Sequence, residues 1–158
     1  MKPTDKAEGL TGMLLSFRKL VAGKKKITFI GCPGWCTPFA SLLTFVLRGT
    51  GKECVFIPNL RKDMAAKIEM TEYGMLPGEY ADPASDTVVL LGGIAMPKMG
   101  IDVNEMKTLI DEITEGYPDR LILGFCIGGI FQNAGWDKLV DFDYIVDADM
   151  DVTVYGFN

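Results

Sequence analysis

Three of the four cysteines stand in or beside glycine-rich stretches: Cys32 and Cys36 bracket Pro33-Gly34-Trp35, and Cys126 precedes Ile127-Gly128-Gly129. A thiol acts as a nucleophile or redox centre through its thiolate, which a helix N-terminus or a cationic neighbour stabilises. Cys36 comes immediately before Thr37-Pro38, which reads as a helix start. The Thr37 oxygen can accept from the free amides of the first turn, and Pro38 has no amide to leave unpaired. The positive end of such a helix favours an anion or a thiolate, so Cys36 is the best placed of the thiols to have its acidity raised. Against this stands plain packing, because free cysteine is commonly buried as a small hydrophobe. Cys54 lies inside an apolar run and has only that reading. The Cys-x-x-x-Cys spacing is not the Cys-x-x-Cys of a zinc ribbon and a fourth protein ligand is missing, so no metal site is assigned.

The elements that must position these residues follow from periodicity. Ile27 to Ile30 form a short apolar strand, Gly31 to Cys36 a tight turn, and Phe39, Leu42, Leu43, Val46 and Leu47 the buried face of the helix that follows. Leu10, Met13, Leu14, Phe17, Leu20 and Val21 predict an amphipathic helix over about 9–22. Cys54 to Ile57 give a second strand. Asn59 is expected to cap a helix bearing Leu60, Met64 and Ile68, ending near Gly74, followed by an irregular loop to Asp86. Thr87 to Leu91 form a third, fully apolar strand leaving through Gly92-Gly93-Ile94-Ala95-Met96. Asp102 and Glu105 make a capping box for a helix burying Val103, Met106, Ile110 and Ile113. Leu121 to Cys126 form a fourth strand, Tyr144 to Val146 a fifth, and Val152 to Tyr155 are read as a last edge strand.

Strands alternating with helices predict parallel pairing through right-handed crossovers. The expected fold is one α/β domain over 1–158: a three-layer sandwich, Rossmann-like or flavodoxin-like, with about five mainly parallel strands and its core over about 27–149. In such a sheet the loops leaving the carboxyl ends of the strands share one rim. If the first, third and fourth strands are neighbours, Gly31, Cys32, Gly34, Trp35, Cys36, Thr37, Gly92, Gly93, Met96, Cys126, Gly128 and Gly129 line one crevice. These are the candidate ligand-binding residues, and Cys32, Cys36 and Cys126 are the candidates for thiol chemistry.

Composition narrows the chemistry further. The chain has no histidine, which removes Ser-His-Asp and Cys-His catalysis and His-containing zinc sites. A net charge of −5 argues against a nucleic-acid surface. No apolar run spans a bilayer, and the polar start lacks a secretory apolar region, so the expectation is a cytoplasmic protein with reduced thiols. No Gly-x-Gly-x-x-Gly and no Gly-Lys-Ser/Thr occurs, and Ile57-Pro58-Asn59 offers no acid to a ribose, so ordinary NAD and P-loop ATP use are disfavoured. A phosphate or carboxylate held by backbone amides stays open beside the reading that the glycines serve only tight turns. Asp143, Asp147, Asp149 and Asp151 read as a solvated acidic face, lacking the glycine and later glutamate of a calcium loop. Trp35 offers either a stacking platform or a lid over the core, and Met70, Met75, Met96 and Met99 either a soft pocket or gap filling. Glu72 and Tyr73 offer polar groups to the rim if their segment folds over it, and otherwise a solvated carboxylate and a packed ring.

Four segments in order carry a resemblance: Gly-Cys-Pro-Gly-Trp-Cys-Thr-Pro-Phe (31–39), Met-Thr-Glu-Tyr-Gly-Met (70–75), Leu-Gly-Gly-Ile-Ala-Met-Pro-Lys (91–98) and Gly-Trp-Asp-Lys-Leu-Val-Asp-Phe-Asp-Tyr (135–144). Over roughly residues 9–149 the chain resembles a family of uncharacterised archaeal proteins, chiefly from methanogens, number 2124 among the domains of unknown function. The resemblance implies a single cytoplasmic α/β domain from an anaerobe. It brings no reaction, cofactor or catalytic residue. Three functional expectations therefore stand side by side. The first is an anionic or nucleotide-like small molecule at the Cys32–Thr37 turn, with thiol chemistry as its subordinate form. The second is a non-catalytic subunit that offers the first helix or the last strand to a partner or, as a homo-oligomer, to its own copy. The third is a cysteine-ligated metal or cluster protein.

Overall fold

The computed structural model describes residues 1–158. Its centre is β1 (Lys26–Gly31), whose apolar side chains are buried on both faces as a parallel strand requires. β2 (Glu53–Pro58) and β5 (Thr87–Leu91) flank it in parallel, with Ile27 opposite Cys54 on one side and Thr87 on the other. β6 (Leu121–Ile127) and β7 (Tyr144–Ala148) continue the parallel sheet. A hairpin of β3 (Ala66–Thr71) and β4 (Gly74–Tyr80) is added antiparallel beyond β2. The seven strands run in the order β4-β3-β2-β1-β5-β6-β7. The parallel part is thus the five-strand sheet the sequence leads one to expect, and the hairpin raises the total to seven.

The connections decide where the helices lie. From β1 the chain passes through α2 (Thr37–Val46) to β2 on one side of β1. From β5 it passes through α3 (Val103–Ile113) to β6 in the opposite direction. Right-handed crossovers in opposite directions put α2 and α3 on opposite faces. Side chains agree with this layering. Phe125 packs on Phe17 of α1 (Gly9–Leu20) and on Phe39 of α2, with ring centroids 6.5 and 6.3 Å apart. On the other face a Cβ at neighbouring Gly124 would stand 3.0 Å from Phe131 of α4 (Ile130–Asn133). Phe131 in turn packs on Trp136 and Phe142. Asp102 caps α3 by accepting from the Asn104 amide at 2.7 Å. No helix is long and apolar enough to cross a membrane.

Three expectations are corrected. The predicted helix after Asn59 is a single 3₁₀ turn (Lys62–Met64) followed by the β3–β4 hairpin, so most of the supposed irregular loop is strand. Leu60, Met64 and Ile68 mimic a helical spacing, but only Ile68 is buried, and Glu72-Tyr73 before a left-handed Gly74 (φ 108°) makes the reversal. α2 starts one residue earlier than expected, so Thr37 lies inside it and Cys36 precedes it without a side-chain cap. Val152 to Tyr155 form no strand with their own chain and are exposed.

Candidate functional site

The strand order places the point of reversal between β1 and β5, because the crossovers leave in opposite directions there. In open α/β sheets this is where the two carboxyl-end loops part and ligands bind. The β1 loop carries Cys32 to Cys36, and the β5 loop carries Gly92–Ala95 as a 3₁₀ turn followed by half-buried Met96. β6 is the next neighbour, so all three glycine-rich turns meet at one end of the sheet.

The turns meet by close packing, not around an open crevice. A Cβ on Gly93 would stand 2.6 Å from Cys36 Sγ, 2.7 Å from Cys32 Sγ and 2.7 Å from Trp35 Cδ1. A Cβ on Gly31 would stand 2.4 Å from that of Cys36, and one on Gly92 2.6 Å from that of Cys126. Glycine at these places lets backbone lie directly on thiols. Cys32 and Cys36 are each only 2% exposed, their sulfurs 3.2 Å apart in a thiol hydrogen bond, and all four cysteines are free.

Burial reverses the expectation for Cys36. Loss of solvent pushes its thiol up to about 12, with the Cys32 hydrogen bond adding to the rise. Cys126 is likewise pushed up to about 12 by burial and then by the Asp147 carboxylate, and Cys54 up to about 11 by burial. The stability these buried thiols contribute is complete below their ordinary value near 9 and is lost as pH climbs towards 12. Accordingly, iodoacetamide at pH 8 is expected to leave Cys36 and Cys126 unmodified in the folded protein while modifying all four thiols in urea. Fast native labelling of either, read by peptide mass spectrometry, would contradict this.

Cys126 does not join the other two thiols. Its Sγ donates to Asp147 Oδ1 at 3.3 Å, and the Gly129 amide donates to the same oxygen at 3.0 Å. The Gly128-Gly129 turn therefore already holds a carboxylate from β7. No three cysteines and acids come together as a metal-binding group anywhere in the chain, which leaves the cysteine-ligated metal or cluster reading without a ligand set.

What remains open to solvent is the β1 side of the rim. Trp35 is 64% exposed, and left-handed Gly34 (φ 82°) has free space around its Cα. Thr37 Oγ1 accepts from the Gly34 amide at 3.2 Å instead of capping α2. Phe39 and Ala40 donate to Cys36 O, while the amides of Trp35 and Thr37 meet no protein acceptor. Asn59 belongs to the same rim, although its sequence context suggested only a helix cap. It follows β2, donates its amide to Gly31 O at 2.8 Å, has φ 53°, and holds a buried side-chain oxygen with no partner. Glu72 and Tyr73 instead sit exposed at the tip of the hairpin. Of the four methionines, Met70 is exposed, and Met75 and Met99 pack against the core.

The comparisons fit this geometry onto known proteins. Residues 8–151 match the model of an uncharacterized protein family conserved in archaea, DUF2124. The chain belongs to this family. An uncharacterized protein of Methanothermobacter thermautotrophicus is 38% identical over 151 residues, 96% of each chain. One of Methanocaldococcus jannaschii is 37% identical over 158 residues, 98% of this chain and 94% of that one. The crystal structure of a protein of unknown function from Methanothermobacter thermautotrophicus, 38% identical, superposes with a TM-score of 0.91 over 99% of both chains. The DUF2124 fold is therefore the mainly parallel α/β sheet described above, with no assigned activity among these relatives.

Proposed function

We propose that this DUF2124 protein binds a small anionic or nucleotide-like molecule on the rim between β1 and β5. The observation that carries the reading is the sheet order, which reverses between these two strands. Exposed Trp35 offers a stacking face, and the unpaired amides of Trp35 and Thr37 offer donors to an anionic group at the positive end of α2. Gly34 lies open on this surface and Met96 half-buried, while Gly31, Gly92 and Gly93 are buried beneath it against Cys32, Cys36 and Cys126. The burial of Cys32 and Cys36 and the raised Cys36 thiol support a packing role for both in the resting protein. The half of the rim at Cys126, Gly128 and Gly129 is taken by Asp147. The proposal therefore centres on the β1 side.

The two tryptophans make a direct test, because Trp35 is exposed and Trp136 is buried. Titration with inorganic phosphate and with adenosine monophosphate is expected to change the red-shifted, solvent-exposed emission saturably and to leave the buried component alone. By calorimetry, Trp35→Ala should weaken the nucleotide at least fivefold, since base–aromatic stacking is worth about 1–3 kcal/mol. It should leave phosphate nearly unaffected. Emission and heat that stay flat for both ligands into the millimolar range would overturn the reading.

A further inference from the structure

The last residues of the chain are built for a strand yet pair with nothing. Asp-Val-Thr-Val-Tyr-Gly-Phe (151–157) is rich in β-branched and aromatic residues. Val152, Val154, Tyr155 and Phe157 are nonetheless 78 to 96% exposed. Four large apolar side chains left in water along one short segment mark a contact surface more than a solvated tail.

A groove of matching shape lies on the same molecule. The N-terminal segment 3–9, the side of α1 and the outer edge of β7 enclose about 1230 Å³. That exceeds the roughly 300–1,000 Å³ of a small-molecule pocket and suits a peptide segment. Met13, Leu20, Tyr144 and Val146 give it apolar ground within a lining that also carries charged groups, among them Lys19 and Asp147. β7 is the last strand of the sheet, so its outer backbone groups are unpaired. The two edges of the sheet differ in how they are guarded. β4 carries Pro77 and its pairing with β3 shifts register between Ala66 and Ile68, both of which discourage strand addition. β7 carries no proline and pairs with β6 without a register shift.

Length agrees with an added strand. Six residues, 152–157, extend roughly 20 Å at about 3.3 Å per residue, close to the roughly 17 Å of the five residues of β7. Residues 152–157 are uncharged, so their contact along β7 sets no like charges together even though Asp147 and Asp149 line the groove. A single chain does not readily fill its own groove. The tail leaves the end of β7 without a turn, and Val152, Val154, Tyr155 and Phe157 stay exposed and away from the groove of their own chain.

We propose that Val152–Phe157 of one copy adds as a strand along β7 of a second copy, in the groove closed by α1 and the N-terminal segment, and that the exchange is reciprocal. This is independent of the ligand reading at the other turns. Sedimentation velocity and paired cysteines test it. The full chain is expected to sediment as a dimer, and a chain ending at Asp149 as a folded monomer with an unaltered far-ultraviolet spectrum. Oxidation of a Ser16→Cys/Val154→Cys double variant should give a disulfide-linked dimer on a non-reducing gel, and neither single variant should. A full chain that stays monomeric at every concentration overturns the proposal, as does a dimer that survives the truncation. A disulfide that the double variant closes within one monomer would overturn the exchange and mean that the tail folds back on its own chain. A link formed by a single variant would place the tails against each other and not in the groove.

Discussion

Replacing Phe17 with alanine is expected to lower the unfolding free energy by about 3–5 kcal/mol, the range for truncating a fully buried aromatic side chain. Phe17 is completely buried, with its ring centroid 5.9 Å from Phe29 of β1 and 6.5 Å from Phe125 of β6. It is the residue through which α1 is seated on two parallel strands on either side of β5. Its loss leaves a void under the first helix that neither strand can close by moving, because each is hydrogen-bonded to neighbours on both sides. Urea melts followed by circular dichroism measure the effect. A cost below about 1 kcal/mol would mean that α1 is not part of the core as described.

Gly93→Ala is the second large effect, and it reads the rim itself. The added methyl would stand within 2.7 Å of two sulfurs and the Trp35 ring. Trp35 is exposed and can yield, but Cys32 and Cys36 are held in the core, so the turn must shift at a cost of about 1–3 kcal/mol. Cys36→Ala removes one of the obstructing atoms. In the Gly93→Ala background it should recover part of that loss, giving a coupling of about 0.5 kcal/mol or more between the two sites. Strictly additive effects would mean that the two turns do not touch.

The parallel strands were legible in the sequence for a physical reason. Thr87–Leu91 and Ile27–Ile30 are buried on both faces and are therefore continuously apolar, a pattern that solvent-facing segments do not imitate. The hairpin was not legible, because it lies at the sheet edge where only Ile68 is buried, and three residues four apart happened to resemble a helix stripe. Strand order cannot be read from one chain's periodicity, yet it determines where the sheet reverses. The glycines and cysteines were recognisable as turn residues. That they close on one another instead of lining an opening depends on sub-ångström packing across strands. Asp147 illustrates the same limit. It sits among alternating aspartates that read as a solvated face, and only the β6–β7 pairing brings it to Cys126 and Gly129. Asn59 carried no signal beyond its type, since its left-handed backbone and unpartnered oxygen arise from the turn out of β2.

The measurement that bears most directly on the rim is the amide spectrum of ¹⁵N-labelled protein titrated with adenosine monophosphate and, separately, with inorganic phosphate. The account predicts saturable shifts at Gly34, Trp35 and Thr37 with both ligands, extending to the Trp35 indole with the nucleotide only. Shifts confined to the β6 turn, to the N-terminal groove, or to no part of the chain would contradict it.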